Sequence, residues 1–369
     1  MKTALALLLL VLLAAAGAGA WLWYSLTRPY KNFPSDGVFV TVPRGASCRT
    51  VAQILERNGV VRSVLAFKLY CRRNPKRGLQ AGEYFFDHAR SSREVFTLLA
   101  NGRVFEKAFT VREGQTMFDI AHELAAAKFM TEGEFLEAAH DPALVHNLAP
   151  EAQTLEGFLF PATYHLTRHP APADLAAEMV RKLKEEWSRI APEGTGGGRS
   201  LFAVVTLASL VERETPRPEE RPLVASVFDN RQRIGMPMQC DPTVIYALER
   251  VGYYNGRLTS EDLRFNSPYN TYRYRGMPPG PIGNPGEASL RAALAPAKSP
   301  YLYFVANTQG GHFFGATLAE HNRNVRRYHR LMAGLPPDPD PEPEPPARPA
   351  KKRPPHKGHS RKPVRSSAR

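Results

Sequence analysis

The most informative stretch of the chain, residues 201–215, reads LFAVVTLASLVERET. Its apolar residues recur at steps of three and four, which is the period of one face of an α-helix; they are Leu201, Val204, Val205, Ala208 and Val211. Glu212 follows Ala208 by four residues and therefore falls on that face, where a carboxylate is costly to bury. Pro216 ends the predicted helix directly afterwards.

Glu212 is the first candidate for a catalytic residue. A carboxyl group held against apolar side chains has a raised pKa, which is what a general acid needs near neutral pH. We therefore expect Glu212 to act as a general acid. The alternative is that the helix frays at this end and that Glu212 pairs with a nearby arginine.

The composition is that of a basic chain with enough hydrophobic residues to form buried cores. The 369 residues carry a formal net charge of +14, and 43% of them are hydrophobic, which allows two or three domains. A Pro-rich basic tail, residues 334–369, carries +5 of this net charge, and its composition predicts disorder. The net charge suggests a polyanionic partner: nucleic acid, an anionic membrane surface or an anionic wall polymer. Because the remaining +9 is spread over 333 residues, a mild excess rather than a nucleic-acid stripe, we expect no nucleic acid.

The three cysteines, Cys48, Cys71 and Cys240, lack a CxxC spacing. We expect no metal site, no cofactor and three buried free thiols. Two of the thiols could pair in an oxidising compartment, and the spacing does not indicate which two.

Residues 1–26 predict a transmembrane anchor. The apolar run from about residue 3 to residue 24 has close to the ~20 residues that span a bilayer. Trp21, Trp23 and Tyr24 are typical of the membrane–water interface. The alternative is a cleaved signal peptide, because residues 18–20 read Ala-Gly-Ala. We favour the anchor, since the apolar character continues past that site, and we expect the chain behind it to be exported.

An internal duplication follows a predicted linker, residues 27–37. Five positions of the first copy return in the second: Gly45 as Gly114, Ser47 as Thr116, Val51-Ala52 as Ile120-Ala121 and Leu55 as Leu124. Each copy predicts a strand, a Gly turn and a helix with Ser47 or Thr116 as its N-cap, and a second helix then begins at a capping residue, Ser63 or Thr131.

The shared pattern V-x-x-G-x-[ST]-x-x-x-[IV]-A resembles the LysM module, a small β-α-α-β unit. That resemblance implies binding to glycan chains. The alternative is that both copies are packing modules that only position the catalytic part.

The remaining candidate residues lie after residue 150. Glu156 is the one acid in the aromatic segment LEGFLFPATY. The segment 266–286 predicts a long loop without regular structure, and such loops are often functional; Asn270 and Tyr272 in it are of the types that hydrogen-bond and stack on sugars. Gln239 precedes a helix whose N-cap we predict to be Asp241, with Pro242 at its first position.

Several long segments occur together and in order. LEGFLFPATY, LASLVERET, VFDNRQRIGMPMQCDPTVIYAL, SPYNTYRYRGMPPGPIGNPG and SPYLYFVAN together resemble the YceG-like endolytic murein transglycosylases. The resemblance covers residues from about 39 to 332. It implies an α+β fold: an N-terminal transmembrane helix, LysM-like β-α-α-β modules and an α+β catalytic domain. The catalytic glutamate of that family maps to Glu212.

The resemblance also implies an activity. Such enzymes cleave the β-1,4 bond between N-acetylmuramic acid (MurNAc) and N-acetylglucosamine (GlcNAc) within glycan strands, and thereby end strand elongation. Glycosidases usually need two carboxylates, but here the C6 hydroxyl of the same MurNAc attacks, so one carboxyl group can act first as acid and then as base. Glu156, Glu214 and Asp241 are the candidates if Glu212 is not that group.

For the glycan groove we predict Glu156, Gln239, Asp241, Asn270 and Tyr272. The domain boundaries that we predict are 1–26 for the anchor, 27–37 for the linker, 38–105 for a LysM-like module, 106–150 for a second LysM-like segment, 151–333 for the catalytic domain and 334–369 for the tail. The resemblance implies a single-pass protein of the inner (plasma) membrane with a periplasmic catalytic domain. Peptidoglycan strands are the expected partner, and the sequence leaves open which peptidoglycan synthase, if any, directs the cut.

Three other classes of protein compete with this prediction. A hydrolytic muramidase would add water and leave reducing ends. A non-enzymatic scaffold would bind the wall through the LysM-like modules alone. A nucleic-acid binder is suggested by net charge only, and +5 of the +14 lies in the tail, whose composition predicts disorder.

Overall fold

The structure is a computed structural model that describes residues 2–192 and 198–336. Over these residues it contains twelve α-helices and three two-stranded sheets, so the predicted α+β class is confirmed. The predicted tail lies outside the described residues from residue 337 onward.

The first helix, α1 (Lys2–Thr27), is apolar and long enough to cross a membrane. Residues 3–21 of this helix are exposed, and only its end, where Ser25 is buried, packs against the rest of the described chain. The predicted interfacial residues Trp21 and Trp23 are exposed near its end.

The first copy of the duplication folds as a β-α-α-β unit. Its elements are β1 (Val38–Val42), α2 (Cys48–Arg57), α3 (Val64–Arg73) and β2 (Gly82–Phe86). The strands pair antiparallel, with Val38 opposite Phe86. Ser47 and Ser63 cap the two helices, as predicted, because each side-chain oxygen accepts a backbone N–H of the first turn. The helix α4 (Ser92–Ala100) completes this unit.

The second copy repeats this topology. Its elements are β3 (Lys107–Thr110), α5 (Met117–Ala126), α6 (Glu132–His140) and β4 (Thr163–Leu166). Thr116 and Thr131 cap α5 and α6, as predicted. The strand that closes the unit, β4, pairs antiparallel with β3 although it lies beyond residue 150. The second unit therefore shares its sheet with the region that follows it.

The rest of the described chain is mostly helical. It contains α7 (Pro172–Ile190), α8 (Leu201–Glu214), α9 (Arg221–Arg233), α10 (Asp241–Glu249), α11 (Glu287–Leu294), β5 (Tyr303–Ala306), β6 (His312–Gly315) and α12 (Leu318–Met332). Residues 265–286 form the predicted long loop without helix or strand.

The described residues form two separate hydrophobic cores. The smaller core belongs to the first unit and centres on residues such as Leu55, Phe67 and Phe86. The larger core joins the second unit to α7, α8, α9 and α11. Helix α8 runs through the larger core and is buried on nearly all sides, since Thr206, Leu207, Ser209 and Leu210 are buried together with the predicted apolar face.

Three details differ from the sequence predictions. Cys240, not Asp241, is the N-cap of α10; Asp241 is the first helical residue, and its carboxylate accepts the Tyr272 hydroxyl instead of a backbone N–H. The predicted linker has no helix or strand over most of its length but is held to the first unit, because Asn32 N–H donates to the Gly59 carbonyl at 2.9 Å. The free thiols Cys71 and Cys240 are buried, whereas Cys48 is only partly buried.

Gly157 provides a test of how tightly the larger core is packed. Its φ is +86°, and a Cβ there would lie 2.4 Å from Pro281 Cβ and 2.8 Å from Val205 Cγ1. We expect Gly157→Ala to lose about 1–2 kcal/mol of unfolding free energy for the left-handed backbone and roughly another 1–3 kcal/mol for overpacking. Denaturant unfolding measures the loss.

Gly276→Ala is the matched control. Its φ is +91°, but an added Cβ would meet no atom within 4 Å, so only the backbone cost applies. Equal losses in the two variants would contradict the packing described around Gly157.

Candidate active site

Glu212 lies in the last turn of α8, and its side chain is only 5% exposed. One carboxylate oxygen accepts the Gly286 N–H at 2.9 Å, and the other accepts the Arg221 Nη2 at 2.7 Å. Burial raises the pKa of Glu212; the Gly286 amide and Arg221 act against this rise, and the charge of Glu113 adds to it. Both sequence interpretations hold in part: the carboxyl is buried, and it is also paired with an arginine.

Arg221 connects two carboxylates. It begins α9, its side chain is 6% exposed, and its Nη2 lies 3.3 Å from Glu113 Oε2 as well as 2.7 Å from Glu212 Oε1. Glu113 comes from the turn between β3 and α5, and its side chain is 48% exposed. The site therefore holds one buried and one accessible acid on a common guanidinium.

The loop that presents Gly286 to Glu212 is fixed by backbone hydrogen bonds. Gly114 N–H donates to the Asn284 carbonyl at 2.8 Å, and Asn284 N–H donates to the Gln115 carbonyl at 2.9 Å. A Cβ at Gly286 would lie 1.9 Å from Glu113 Oε1, so a larger residue there would displace the Glu113 carboxylate from its present position. The turn of the second unit and the long loop thus form one wall.

An open cleft of about 460 Å³ runs past Glu212. Residues of three segments line it: Glu212 and Arg213 from α8, residues 112–115 from the turn before α5, and Asp119, His122 and Glu123 from α5. The buried carboxyl therefore lines a space that is open to solvent. Gln115, in the turn, donates to Glu123 at 2.8 Å, which holds the polar rim of the cleft in place.

Glu156, a predicted groove residue, is buried rather than open to the cleft. It is 2% exposed, and both of its oxygens accept the Met117 N–H at the start of α5, each at 3.1 Å. Asn284 Nδ2 donates to it at 3.2 Å. Burial raises its pKa to about 8, against the opposing effect of the Met117 amide. Glu156 thereby supports the wall formed by Asn284 and Gln115.

The other predicted groove residues form a separate cluster near the start of α10. The Tyr272 hydroxyl donates to Asp241 Oδ1 at 2.5 Å. Asn270 is fully buried, and its side chain bonds the backbone of its own loop at Leu263, Phe265 and Tyr272. Gln239 is exposed and has a positive φ of 47°.

Glu214 follows Glu212 by two residues on helix α8, so its side chain points to a different side of the helix. Glu214 therefore belongs to this second cluster. Burial raises the pKa of Glu214 to about 7, a hydrogen bond with Cys240 lowers it, and the charge of Asp241 raises it further. The described residues that line the Glu212 cleft include none of Gln239, Asp241, Asn270 and Tyr272.

Sequence reasoning missed Glu113, Arg221 and Gly286. One signal for Glu113 was present in the duplication: the first copy has Arg44 at the equivalent position before its Gly turn, so the two copies differ in charge there. The sequence contains no such signal for Arg221, since an arginine at the start of a helix is expected to lie on the surface.

Comparison with known proteins places this site in a family. The model of the YceG-like family matches residues 40–327, which contain every residue of the cleft. The chain belongs to the YceG-like family.

Named relatives of this YceG-like chain share most of its length. The endolytic murein transglycosylase of Bacillus subtilis (strain 168) is 32% identical over 320 residues, covering 82% of this chain and 88% of the relative. The protein of the same name from Streptococcus pneumoniae serotype 2 (strain D39) is 28% identical over 321 residues, covering 79% of this chain and 58% of the relative. A solved YceG-like protein from Listeria monocytogenes matches with a TM-score of 0.53 and 33% identity, over 79% of this chain and 99% of that one.

The buried carboxyl of Glu156 predicts a pH-dependent stability. Its folded pKa, about 8, is above the ordinary value of 4.5, so folding retains a proton that the unfolded chain loses. This contribution to stability is complete below the ordinary pKa and is lost as the pH rises to about 8. We expect Glu156→Gln to gain melting temperature relative to the wild type between pH 5 and pH 8, because glutamine has no proton to lose.

The exposed Glu151→Gln is the control and should follow the wild type at both pH values. A constant difference between Glu156→Gln and the wild type across this range would show that Glu156 does not hold its proton.

Proposed function

We propose that this chain is an endolytic lytic transglycosylase of peptidoglycan, with Glu212 as its acid and base. The observation that carries the proposal is the buried carboxyl of Glu212, whose pKa is raised and which opens onto a surface cleft. The names of the relatives support murein as the substrate.

The reaction follows from one carboxyl group. Protonated Glu212 gives its proton to the oxygen that links MurNAc C1 to GlcNAc C4, and the C1–O bond breaks. The C6 hydroxyl of the same MurNAc then bonds to C1, and its proton passes to the Glu212 carboxylate. Atoms balance without water: the products are a 1,6-anhydroMurNAc end and a free GlcNAc hydroxyl. The attack is intramolecular, which favours it strongly over attack by solvent.

The surroundings of Glu212 suit both halves of this cycle. Burial favours the protonated form that starts the reaction. Arg221 and the Gly286 N–H favour the carboxylate that exists after the first proton transfer. Because these effects oppose each other, neither form of Glu212 is strongly trapped, and this is what a group that acts as acid and then as base requires.

Hydrolysis is the second candidate reaction, and Glu113 is the observation that favours it. A hydrolytic muramidase needs a second carboxylate to activate water or attack the sugar, and Glu113 shares Arg221 with Glu212. The products decide between the reactions, since hydrolysis adds one water to each cut and leaves reducing ends.

We also propose where the enzyme is located and which part of it holds the glycan strands. Helix α1 would anchor the chain in the inner membrane with the cleft on the periplasmic side, where cutting nascent strands would end their elongation. The LysM-like units would hold glycan strands, and the first unit, which is separate from the larger core, is the one free to do so.

Replacement of Glu212 tests the assignment directly. We expect Glu212→Gln to lose strand cleavage by at least a factor of roughly 100, the usual scale for removing a general acid. The assay digests intact glycan strands with the full chain and identifies the 1,6-anhydro ends by mass spectrometry.

Glu214→Gln is the matched control, because it removes a buried carboxyl of raised pKa from the same helix but outside the cleft. We expect it to retain cleavage. Loss of cleavage in Glu214→Gln together with normal activity of Glu212→Gln would transfer the catalytic role to Glu214.

Glu113 provides a pH test. Its negative charge raises the pKa of Glu212, so Glu113→Gln should lower that pKa. Since the acid form of Glu212 starts the reaction, kcat/KM falls as the pH rises through the pKa, and this fall should move to lower pH in the variant.

Glu185→Gln removes an exposed charge on α7 and should leave the pH profile unchanged. If Glu113→Gln abolishes cleavage at every pH, Glu113 takes part in the chemistry, and the hydrolytic reaction is favoured.

A further inference from the structure

The end of helix α1 is packed against the first unit. It lies on α3 and α4, and Ser25, which is 2% exposed, accepts the Ser92 hydroxyl at its carbonyl at 3.0 Å. The Arg62 guanidinium covers the rings of Tyr24 and Tyr30, at 5.0 and 4.6 Å from their centroids. The helix and the first unit are therefore joined by side-chain contacts as well as by the chain.

This junction falls at the level of lipid headgroups, given the anchoring proposed above. An α-helix that begins its span at Thr3 needs about 20 residues, at about 1.5 Å each, to cross the ~30 Å hydrocarbon layer. Residues 22–27 then lie at the surface of the bilayer. The exposed indoles of Trp21 and Trp23 suit that depth.

A cleft of about 260 Å³ opens at this level between α1, α3 and α4. Leu22, Leu26 and Leu69 give it an apolar part, and Arg73 and Arg93 give it two guanidinium groups. A second cleft of about 400 Å³ adjoins it through Tyr70 and Arg93 and adds Arg90 and Arg103. An apolar surface beside guanidinium groups is the chemistry that holds an acyl chain together with a phosphate.

The positive charge of this cleft is not neutralised by the protein. Among the residues that the structure describes, no carboxylate forms an ion pair with Arg73 or Arg93, and the Arg93 guanidinium lies 5.8 Å from the centre of the Tyr70 ring. Glu94 lines the adjoining cleft, and its carboxylate accepts the Ser91 N–H at 2.7 Å and the Ser91 hydroxyl at 2.8 Å, which caps α4. These bonds and the charge of Arg90 lower the pKa of Glu94, so Glu94 offsets part of the Arg90 charge in the adjoining cleft.

Helix α3 extends the same surface. It exposes Leu65 and Leu69, four residues apart, and then Arg72 and Arg73. Apolar and basic residues on one helical face are typical of a helix that lies on an anionic bilayer. The opposite face of α3, with Ala66, Phe67 and Cys71, is buried in the first unit.

We propose that this cleft, lined by Leu22, Leu26, Leu69, Arg73 and Arg93, binds the phosphate headgroup of an anionic phospholipid. The proposal rests on the membrane anchoring under the proposed function, and not on the identity of the catalytic acid. Bound lipid would fix the first unit against the bilayer surface.

Native mass spectrometry of the full chain tests the proposal. The chain is released from mixed micelles that contain equal amounts of phosphatidylglycerol and phosphatidylcholine with matched acyl chains. We expect the wild type to retain phosphatidylglycerol over phosphatidylcholine by roughly tenfold or more. The double variant Arg73→Gln/Arg93→Gln should lose most of this preference. Both arginines are exposed, so the double variant should melt as the wild type does.

The double variant Arg44→Gln/Arg49→Gln is the matched control, since it removes the same charge from exposed positions of the same unit outside the cleft. It should keep the lipid preference. Equal retention of both lipids by the wild type, or an equal loss of preference in the two double variants, would overturn the proposal. So would displacement of phosphatidylglycerol by equimolar polyprenyl phosphate, which would identify a wall-precursor lipid as the occupant.

An alkaline carbonate wash of membranes separates the possible failures. If the wash releases the chain, the anchoring proposal fails and the lipid site fails with it. If the chain stays in the membrane without lipid preference, only the lipid site is refuted. Strand cleavage in detergent is measured independently of both.

Discussion

The salt bridge between Glu212 and Arg221 is the interaction on which the rest of the site depends. Both side chains are almost fully buried, and two isolated charges at such a depth would be very costly. The pair is tolerable because the remaining carboxylate oxygen accepts the Gly286 N–H and the same guanidinium also reaches Glu113. This single arrangement therefore fixes α8, α9, the long loop and the turn before α5 relative to one another.

The same arrangement explains why a helix buried on almost every side ends at a polar cleft. Helix α8 packs through the larger core, its residues 204–211 are buried, and its last turn reaches the cleft. A rigid helix places the carboxyl more accurately than a loop could. The loop that contributes Gly286 is held by Ser209, whose hydroxyl accepts the Ile282 N–H at 3.0 Å, and by Arg213, which donates to the Ile282 carbonyl at 2.9 Å. Helix α8 thus positions both the acid and the amide that binds it.

Local patterns predicted the helices and their caps well, because a cap such as Ser47 or Thr131 acts within four residues of itself. They predicted Glu212 because its position in the helical period sets its burial. They could not predict its partners, since Glu113 and Gly286 are far from it in sequence and meet it only through the fold. Glu156 shows the opposite failure: its acidic side chain suggested a groove, whereas the fold buries it under α5. Residue type alone does not distinguish a carboxyl that faces a cleft from one that supports its wall.

The two copies of the duplicated unit have diverged in what they contact. The first keeps its own core and packs against α1, and Arg168, just after β4, pairs with its Glu83 at 3.0 Å and covers the ring of its Phe39. The second has merged its core and its closing strand with the helical region. The same turn carries Arg44 in one copy and Glu113 in the other, and only the second faces Arg221. One β-α-α-β unit thereby serves as a body that packs against helix α1 and the other as a wall for the cleft, and the charge at one turn position distinguishes the two.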